Sequence, residues 1–339
     1  MMTTRRHFLL GAAATAAAAT LAACSQDVPA TPSVITSATP RPVLDADRLT
    51  AILERIDQGL SSADSAKNRE ALAGYLTGPA ARVRAAEYAV AQAAGDDSLI
   101  HAFSTTSQAG AVGLTAGFPR AALTITEPVS DTEPPYLLVL SQDTARDSFE
   151  LWSWARLFAG VEVPATSTAS VGSEQVDADS TGLVATPQEV LAAYIELLNN
   201  PEGDNSLGFA DDSLRQRVAS ERGVDLSGMG TVSVTATAGQ DGFKGLRTTE
   251  GGALVATTLS FATTYTKTVA GSTLNVGGNV GKLLGGDTEV RGTVTASYDV
   301  MIAFSIPSAE AGGSAVVLGA DLVLASASRD DAAAPQESE

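Results

Sequence analysis

Residues 293–306, TVTASYDVMIAFSI, are the most informative stretch of this sequence for the fold. Apolar side chains occupy every second position from Val294 to Ile306, and most of the positions between them are small or polar. A period of two residues is typical of a β-strand that buries one face and exposes the other. This strand is longer than the usual five or six residues, so we expect bends or bulges that curl its sheet.

Two further stretches in the same half of the chain repeat the alternation, residues 253–266 and 316–324. Two helices are predicted before them. The first begins with Thr186-Pro187-Gln188-Glu189, a capping box with proline in the first turn, and the second spans about residues 211–222. The sequence therefore predicts a C-terminal unit over residues 183–328, with helices followed by long antiparallel strands.

The preceding part of the chain, residues 43–164, repeats this order with shorter elements. Apolar residues at helical spacing from Leu49 to Leu60 predict one helix. Further helices are predicted at 67–75 and 80–94, and short strands at 121–127, 136–142 and 148–158.

Two polar segments complete the predicted organisation. Residues 165–182 are rich in Ser, Thr, Gly and acidic side chains and are interpreted as a linker, and residues 329–339 as a frayed acidic tail. The fold class predicted is α+β, with two consecutive units that each place helices before a curved, cone-like antiparallel sheet.

The first 23 residues have the three regions of an export signal. Arg5 and Arg6 precede an apolar run, Phe8–Ala23, which is shorter and richer in alanine than a membrane-spanning helix requires. The arginine pair with the following Phe-Leu resembles a twin-arginine signal, and an ordinary secretory signal with two adjacent arginines is the alternative. Residues 24–42, rich in Pro, Ser and Thr, are predicted to form a flexible tether.

The residues Leu21-Ala22-Ala23-Cys24 resemble the lipobox of bacterial lipoproteins. That resemblance implies cleavage between Ala23 and Cys24, and attachment of lipid to the Cys24 thiol. Cys24 is the only cysteine, so an intramolecular disulfide is excluded. We therefore expect a lipid-anchored protein on the extracytoplasmic face of the cell membrane.

The net charge narrows the range of partners. The chain has 21 Lys and Arg against 39 Asp and Glu, and loss of Arg5 and Arg6 with the signal leaves 19 against 39, a net charge of −20. Such a surface repels polyanions, so nucleic acid is not an expected partner. The expected partners are the membrane, through the lipid anchor, and an envelope protein or a small molecule.

Few side chains in the sequence suggest a binding or catalytic site. Trp152 and Trp154 lie two residues apart on a predicted strand, and Arg156 continues the same face. Paired indoles beside a guanidinium could stack a flat or sugar-like ligand. The alternative is that the two indoles cover the helical layer as core residues.

Other motifs favour structural interpretations. His101, the only histidine outside the signal, is interpreted as a surface or loop residue, and no metal site or cofactor is predicted. Asp177–Gly182 resembles the start of a calcium loop, but Gln188 replaces its final glutamate, which favours an acidic linker. Gly277–Gly286 lacks the spacing of a phosphate loop and is predicted to be a flexible loop between strands.

Two wider resemblances are apparent. The order of helices and strands is similar to the nuclear-transport-factor-2-like cone fold, and a β-sandwich with appended helices is the alternative. At the level of residues, most of the mature chain resembles an actinomycete family of predicted lipoproteins of unknown function. That resemblance rests on Gly78-Pro79, Arg84–Tyr88, Pro135 with Leu137–Leu140, Leu151–Phe158 and Leu183–Pro187.

The family resemblance implies an envelope location and a two-unit body, and it supplies no activity or functional residues. No catalytic residue is predicted. The expected function is non-catalytic binding of a ligand or a protein. The alternative is a cone-fold enzyme that acts on a small neutral or cationic substrate through a carboxylate in its cavity.

Overall fold

The structure is a computed structural model that describes residues 40–130 and 132–336. The export signal, Cys24 and the tether up to residue 39 lie outside the described residues. Five α-helices are described, α1 Ala46–Ala66, α2 Gly78–Ala94, α3 Pro187–Asn199, α4 Ser213–Arg222 and α5 Gly278–Leu283. The strands of the first half are β1 Arg41–Pro42, β2 Ser107–Thr115, β3 Arg120–Thr126, β4 Tyr136–Gln142, β5 Glu150–Arg156 and β6 Ser173–Val176. Those of the second half are β7 Gly230–Ala238, β8 Lys244–Arg247, β9 Ala253–Lys267, β10 Thr293–Ile306 and β11 Val316–Asp330.

All these strands belong to one sheet. The hydrogen-bonded order is β11-β10-β9-β8-β6-β2-β3-β4-β5, while β1 pairs with β2 and β7 pairs with β9. The two ends of this path meet where Leu157 bridges Gly319, and the Phe158 N–H donates to the Leu318 carbonyl at 2.8 Å. The sheet is therefore a nearly closed barrel, and we call the junction between β5 and β11 the seam.

The long strands confirm the alternation in the sequence. The even-numbered residues of β10 from Val294 to Ile306 are buried in a core shared with α3 and α4. β11 carries one extra residue at two points relative to β10, at Leu318 and at Ala325. These are the irregularities expected of strands this long, because a bulge bends and twists the strand that contains it.

Three apolar cores fill the molecule, and each combines residues from both halves of the chain. The core beneath α1 and α2 includes Met301 of β10 and Val323 of β11. The core beneath α3 and α4 includes Val90 of α2, and a third lies between β2–β5 and β8–β11. The described residues accordingly form one compact unit.

A charged contact also joins the two halves. Arg82 of α2 binds Asp299 of β10 with its Nε at 2.7 Å, and its terminal nitrogens bind Asp241 at 2.8 and 2.9 Å. A guanidinium that binds one carboxylate with two parallel bonds has a fixed orientation. Arg82 therefore holds α2 against the strands of the second half.

The class α+β is confirmed, whereas the division into two cone-like units is not. The predicted linker 165–182 contains β6, which pairs with β2 on one side and β8 on the other. A segment that supplies a strand to the shared sheet connects the halves rigidly. The predicted tail, residues 329–339, also begins too early, because Arg329 and Asp330 still belong to β11 and pair with Val294 and Thr293.

Two local predictions are wrong. The helix expected at 67–75 is a single 3-10 turn, Arg69–Leu72, because the backbone is left-handed at Lys67, with a φ of 47°, and non-helical at Ala73, with a ψ of 132°. The flexible loop expected at 277–286 contains the short helix α5. None of the helices described in residues 40–130 and 132–336 is long and apolar enough to cross a membrane.

Candidate functional site

A cavity of about 910 Å³ lies beside the seam, and we call it the seam cavity. Its walls come from the end of β5, from β10 and β11, from α2 and α4, and from residues 274–280. Most of the lining is aliphatic or aromatic. The apolar wall includes Leu157, Phe158, Leu226, Leu274, Val276 and Leu324.

Buried charges lie at the seam end of this cavity, beginning with two residues of α2. Arg84 and Glu87 are 2% and 1% exposed, and Arg84 Nη1 donates to Glu87 Oε2 at 2.6 Å. The same nitrogen donates to the His101 carbonyl at 2.8 Å. Because an isolated buried charge is costly, each member of this pair depends on the other.

His101 extends the buried pair into the cavity. Its Nδ1 lies 2.9 Å from Glu87 Oε1, and its side chain is 39% exposed and lines the cavity. The hydrogen bond to Glu87 raises the pKa of His101. An imidazole held by a carboxylate on one nitrogen presents its other nitrogen for a ligand or a proton.

Asp321 of β11 provides a carboxylate in the cavity wall. Its Oδ2 accepts from the indole N–H of Trp154 at 2.8 Å, and its Oδ1 accepts from the Leu322 N–H at 2.8 Å. Burial raises the pKa of Asp321. Trp154 and Asp321 thus connect β5 to β11 where the strands themselves are not hydrogen bonded.

Arg156 is the arginine that lines this end of the cavity. Its Nε donates to the Tyr136 hydroxyl at 3.0 Å, and its guanidinium lies 5.6 Å from the centre of that ring. No described residue accepts a hydrogen bond from the two terminal nitrogens of Arg156. A guanidinium anchored at Nε alone keeps donors for a ligand.

A second polar group lies on the α4 side of the cavity. Arg217 donates to Glu221 Oε1 from Nε and Nη2 at 3.0 and 2.6 Å. The Tyr265 hydroxyl donates to Glu221 Oε2 at 3.2 Å. Both oxygens of this carboxylate therefore already have donors, as do both oxygens of Asp321.

The predicted ligand face of Trp152, Trp154 and Arg156 is not assembled. The register shift opposite Val139 and Leu140 adds one residue to β5 and places Trp152 in the core between the two halves of the sheet. Trp154 lies in the core beneath α1 and α2. The indoles are 4% and 0% exposed, so Arg156 is the member of the trio that lines the cavity.

The remaining predicted residues are placed as follows. Cys24, Arg5, Arg6 and Ala23 lie outside the described residues. His101 is in a loop, as expected, but it is a partly buried member of the site rather than a free surface residue.

The two weak loop motifs contribute little to the site. In Asp177–Gly182 the Ser180 hydroxyl donates to Asp177 at 2.8 Å, which closes a local turn. Residues 277–280 supply part of the cavity wall. Within residues 40–130 and 132–336, no three His, Cys, Asp or Glu side chains are grouped so that they could hold a metal ion.

Glu87 and Asp321 were missed by the sequence analysis. Glu87 appears there only within the resemblance segment Arg84–Tyr88, and Asp321 lies in an alternating strand. The contact between Trp154 and Asp321 spans 167 residues of sequence. No local pattern indicates such a pairing.

These features define an α+β protein with a nearly closed sheet and an apolar cavity with charged residues at the seam. A family described as a domain of unknown function (DUF8094) matches residues 40–328. The chain therefore belongs to the DUF8094 family, and the expectation of a family of unknown function that covers most of the chain is confirmed. No curated protein and no solved structure matches the chain.

Proposed function

We propose that this protein is an exported, lipid-anchored envelope protein that binds an apolar small molecule in the seam cavity without transforming it. The proposed location rests on the export signal with Arg5 and Arg6, and on the lipobox that ends at Cys24. The acidic surface favours a neutral or apolar ligand over a polyanion.

The cavity itself is the observation that carries the binding function. Its volume of about 910 Å³ lies within the range of about 300–1,000 Å³ typical of small-molecule sites. Such sites combine mostly apolar walls with a few polar groups that orient the ligand. The seam cavity has this composition, with Arg156 and His101 near one end.

The enzyme alternative is favoured by one specific observation, the buried carboxyl group of Asp321. Burial raises its pKa, and a carboxyl group with a raised pKa is better suited to act as a general acid. His101 and Arg156 are close enough to Asp321 to influence its charge. Against this alternative, both carboxyl oxygens already accept hydrogen bonds from within the protein.

We also propose that each half of the chain is related to the cone-like fold, in which helices precede a curved sheet. In the first half α1 and α2 precede β2–β5, and in the second half α3 and α4 precede β7–β11. This repeated order supports the comparison.

Binding can be tested with N-phenyl-1-naphthylamine, an uncharged probe that fluoresces in apolar surroundings. The full chain carrying Cys24→Ala is used, so that neither lipid nor detergent competes for the cavity. We expect saturable fluorescence that Ala320→Trp weakens, because an indole at this cavity-lining position takes up part of the space.

Val316→Trp is the matched control on the same strand. Val316 is 39% exposed and does not line the cavity, so this variant should bind the probe normally. Probe binding that is absent, or that Ala320→Trp leaves unchanged, would show that the cavity is not a binding site. Conversion of p-nitrophenyl acyl esters that Asp321→Asn abolishes would instead favour the enzyme alternative.

A further inference from the structure

The polar side chains of the seam cavity differ in whether they already have hydrogen-bond partners within the protein. The two carboxylates in its wall are both engaged, Asp321 by Trp154 and Leu322, and Glu221 by Arg217 and Tyr265. At the seam end of the cavity, no described residue accepts a hydrogen bond from the terminal nitrogens of Arg156, and none forms one with the second ring nitrogen of His101. This end of the cavity therefore offers the donors of a guanidinium, which suit a ligand group that accepts hydrogen bonds.

Arg156 is prepared for this role by its surroundings. The Tyr136 ring and hydroxyl fix the guanidinium, and Tyr136 is itself 1% exposed. The two terminal nitrogens of this fixed guanidinium have no acceptor among residues 40–130 and 132–336, and they match the two oxygens of a carboxylate. Such paired bonds are among the stronger hydrogen bonds in proteins.

The charges around Arg156 set the net charge of the group it can bind. Arg84 is paired with Glu87 and also with Asp64 at 3.2 Å, and Glu87 accepts from His101 as well. Arg156 faces Asp321, whose negative charge burial disfavours. Among the described residues, Arg156 is the one arginine that lines this end of the cavity, so a singly charged group suits it, because a second negative charge would have no cation beside it in largely apolar surroundings.

The rest of the cavity specifies what is attached to that group. Beyond Arg156 the wall continues with Leu157 and Phe158, which follow directly after β5, and then with Leu226, Leu274 and Val276. This surface offers apolar contact and suits a hydrocarbon chain.

We propose that the Arg156 and His101 end of the seam cavity binds the carboxylate of a long-chain aliphatic acid, whose hydrocarbon chain lies along the apolar wall. This inference rests on the binding function proposed above, and it names the class of ligand. Arg156 supplies the paired hydrogen bonds, and His101 adds a donor when it is protonated.

The experiment compares dodecanoate with 1-dodecanol, which has the same chain and no charge. Each is titrated against N-phenyl-1-naphthylamine bound to the full Cys24→Ala chain. We expect dodecanoate to displace the probe at lower concentration than dodecanol. Arg156→Gln should weaken dodecanoate by about ten- to a hundredfold, the range for loss of a hydrogen bond to a charged group, and should leave dodecanol unchanged.

Arg120→Gln is the matched control. Arg120 also lies beside an aromatic ring, that of Phe118 at 4.2 Å, at the start of a strand outside the cavity lining. It should leave both affinities unchanged. Retained binding of the uncharged probe by Arg156→Gln shows that the cavity is still folded, so that a loss confined to dodecanoate is attributable to the guanidinium.

The outcomes separate this inference from the function on which it rests. If the probe binds but dodecanoate and dodecanol displace it equally, or if Arg156→Gln affects both alike, the carboxylate site is refuted and the cavity function stands. If the probe does not bind the unsubstituted cavity, the proposed function itself fails. Arg156→Lys should not restore the affinity for dodecanoate, and full recovery would refute the paired hydrogen bonds by showing that a point charge is sufficient.

Discussion

Glu87 is the residue on which the buried polar contacts converge. It is 1% exposed, and one oxygen accepts from Arg84 while the other contacts His101. The pair is costly to bury, and its geometry compensates because each oxygen has a partner. This arrangement fixes the middle of α2 against the loop that carries His101, and so it defines the polar end of the seam cavity.

The contact between Glu87 and His101 makes stability depend on pH. The pKa of folded His101 is raised above its ordinary value of 6.5, so its protonated form favours the fold. This contribution is fully present below pH 6.5 and is lost as the pH rises through the folded-state pKa. Asp321, whose pKa is also raised, acts in the same direction from its ordinary value of 3.8 upward.

We therefore predict that His101→Gln destabilises the protein more at about pH 6 than at about pH 8, the interval in which histidine titrates. The difference should be below about 1 kcal/mol, because solvent screens a side chain that is 39% exposed. Urea unfolding at each pH measures it. Glu87→Gln should remove the same pH dependence, and an equal loss of stability by His101→Gln at both pH values would contradict the prediction.

The contacts of Glu87, His101 and Asp321 could not be predicted from the sequence, because they join residues that are distant along the chain. Glu87 and His101 are 14 residues apart across a turn, and Trp154 meets Asp321 across the seam. Such contacts depend on where the sheet closes. The face predicted for Trp152 and Trp154 fails for a related reason, because one added residue in β5 changes the side to which the following side chains point.

At the scale of elements, strong local patterns predict structure well. The capping box at Thr186 is present as expected, with Glu189 Oε2 accepting from the Thr186 N–H at 2.9 Å. The alternation in β10 also survives. In contrast β2, with the sequence SQAGAVGLT, has small residues and no clear period, and it was not predicted.

The cap supplies an element-scale prediction. Thr186→Ala should lower the free energy of unfolding by about 1 kcal/mol, because the Glu189 N–H loses its side-chain acceptor at the start of α3. Urea denaturation monitored by circular dichroism provides the measurement.

Thr77→Ala is the matched control for the cap. Thr77 occupies the corresponding position before α2 and makes no capping hydrogen bond, so its substitution should cost less. If the two variants are equally destabilised, the capping interaction is not the cause of the effect.

At the scale of the whole molecule, one sheet joins the two halves of the chain, which the sequence pattern predicts to be separate units. The sequence correctly indicates helices before strands in each half. It does not show that β6 joins the two sets of strands, because Ser173–Val176 is too short and polar to stand out from a linker.

The shared sheet predicts one cooperative unfolding transition. Met301 and Val323 from the second half are needed for the core beneath α1 and α2, and Arg82 ties α2 to Asp241 and Asp299. Removing either half would expose apolar surface of the other, so the halves should lose structure together. Differential scanning calorimetry of the full chain should give a single peak, and two separate peaks would support two independent units.

The proposed lipid anchor would place the whole protein at the membrane, and the proposal depends on Cys24. In cells that process bacterial lipoproteins, we expect the unsubstituted chain to remain with membranes after a high-salt wash. Each buried methylene contributes about 0.8 kcal/mol to such anchoring, so two or more acyl chains suffice without a basic surface. Cys24→Ala should move the protein out of the membrane fraction, whereas the neighbouring control Ser25→Ala should not. Intact-mass measurement of the membrane-bound form should find a chain that begins at Cys24 with added lipid. A Cys24→Ala protein that still sediments with membranes, or a mature chain with a free thiol, would show that the acidic body reaches its place by another route.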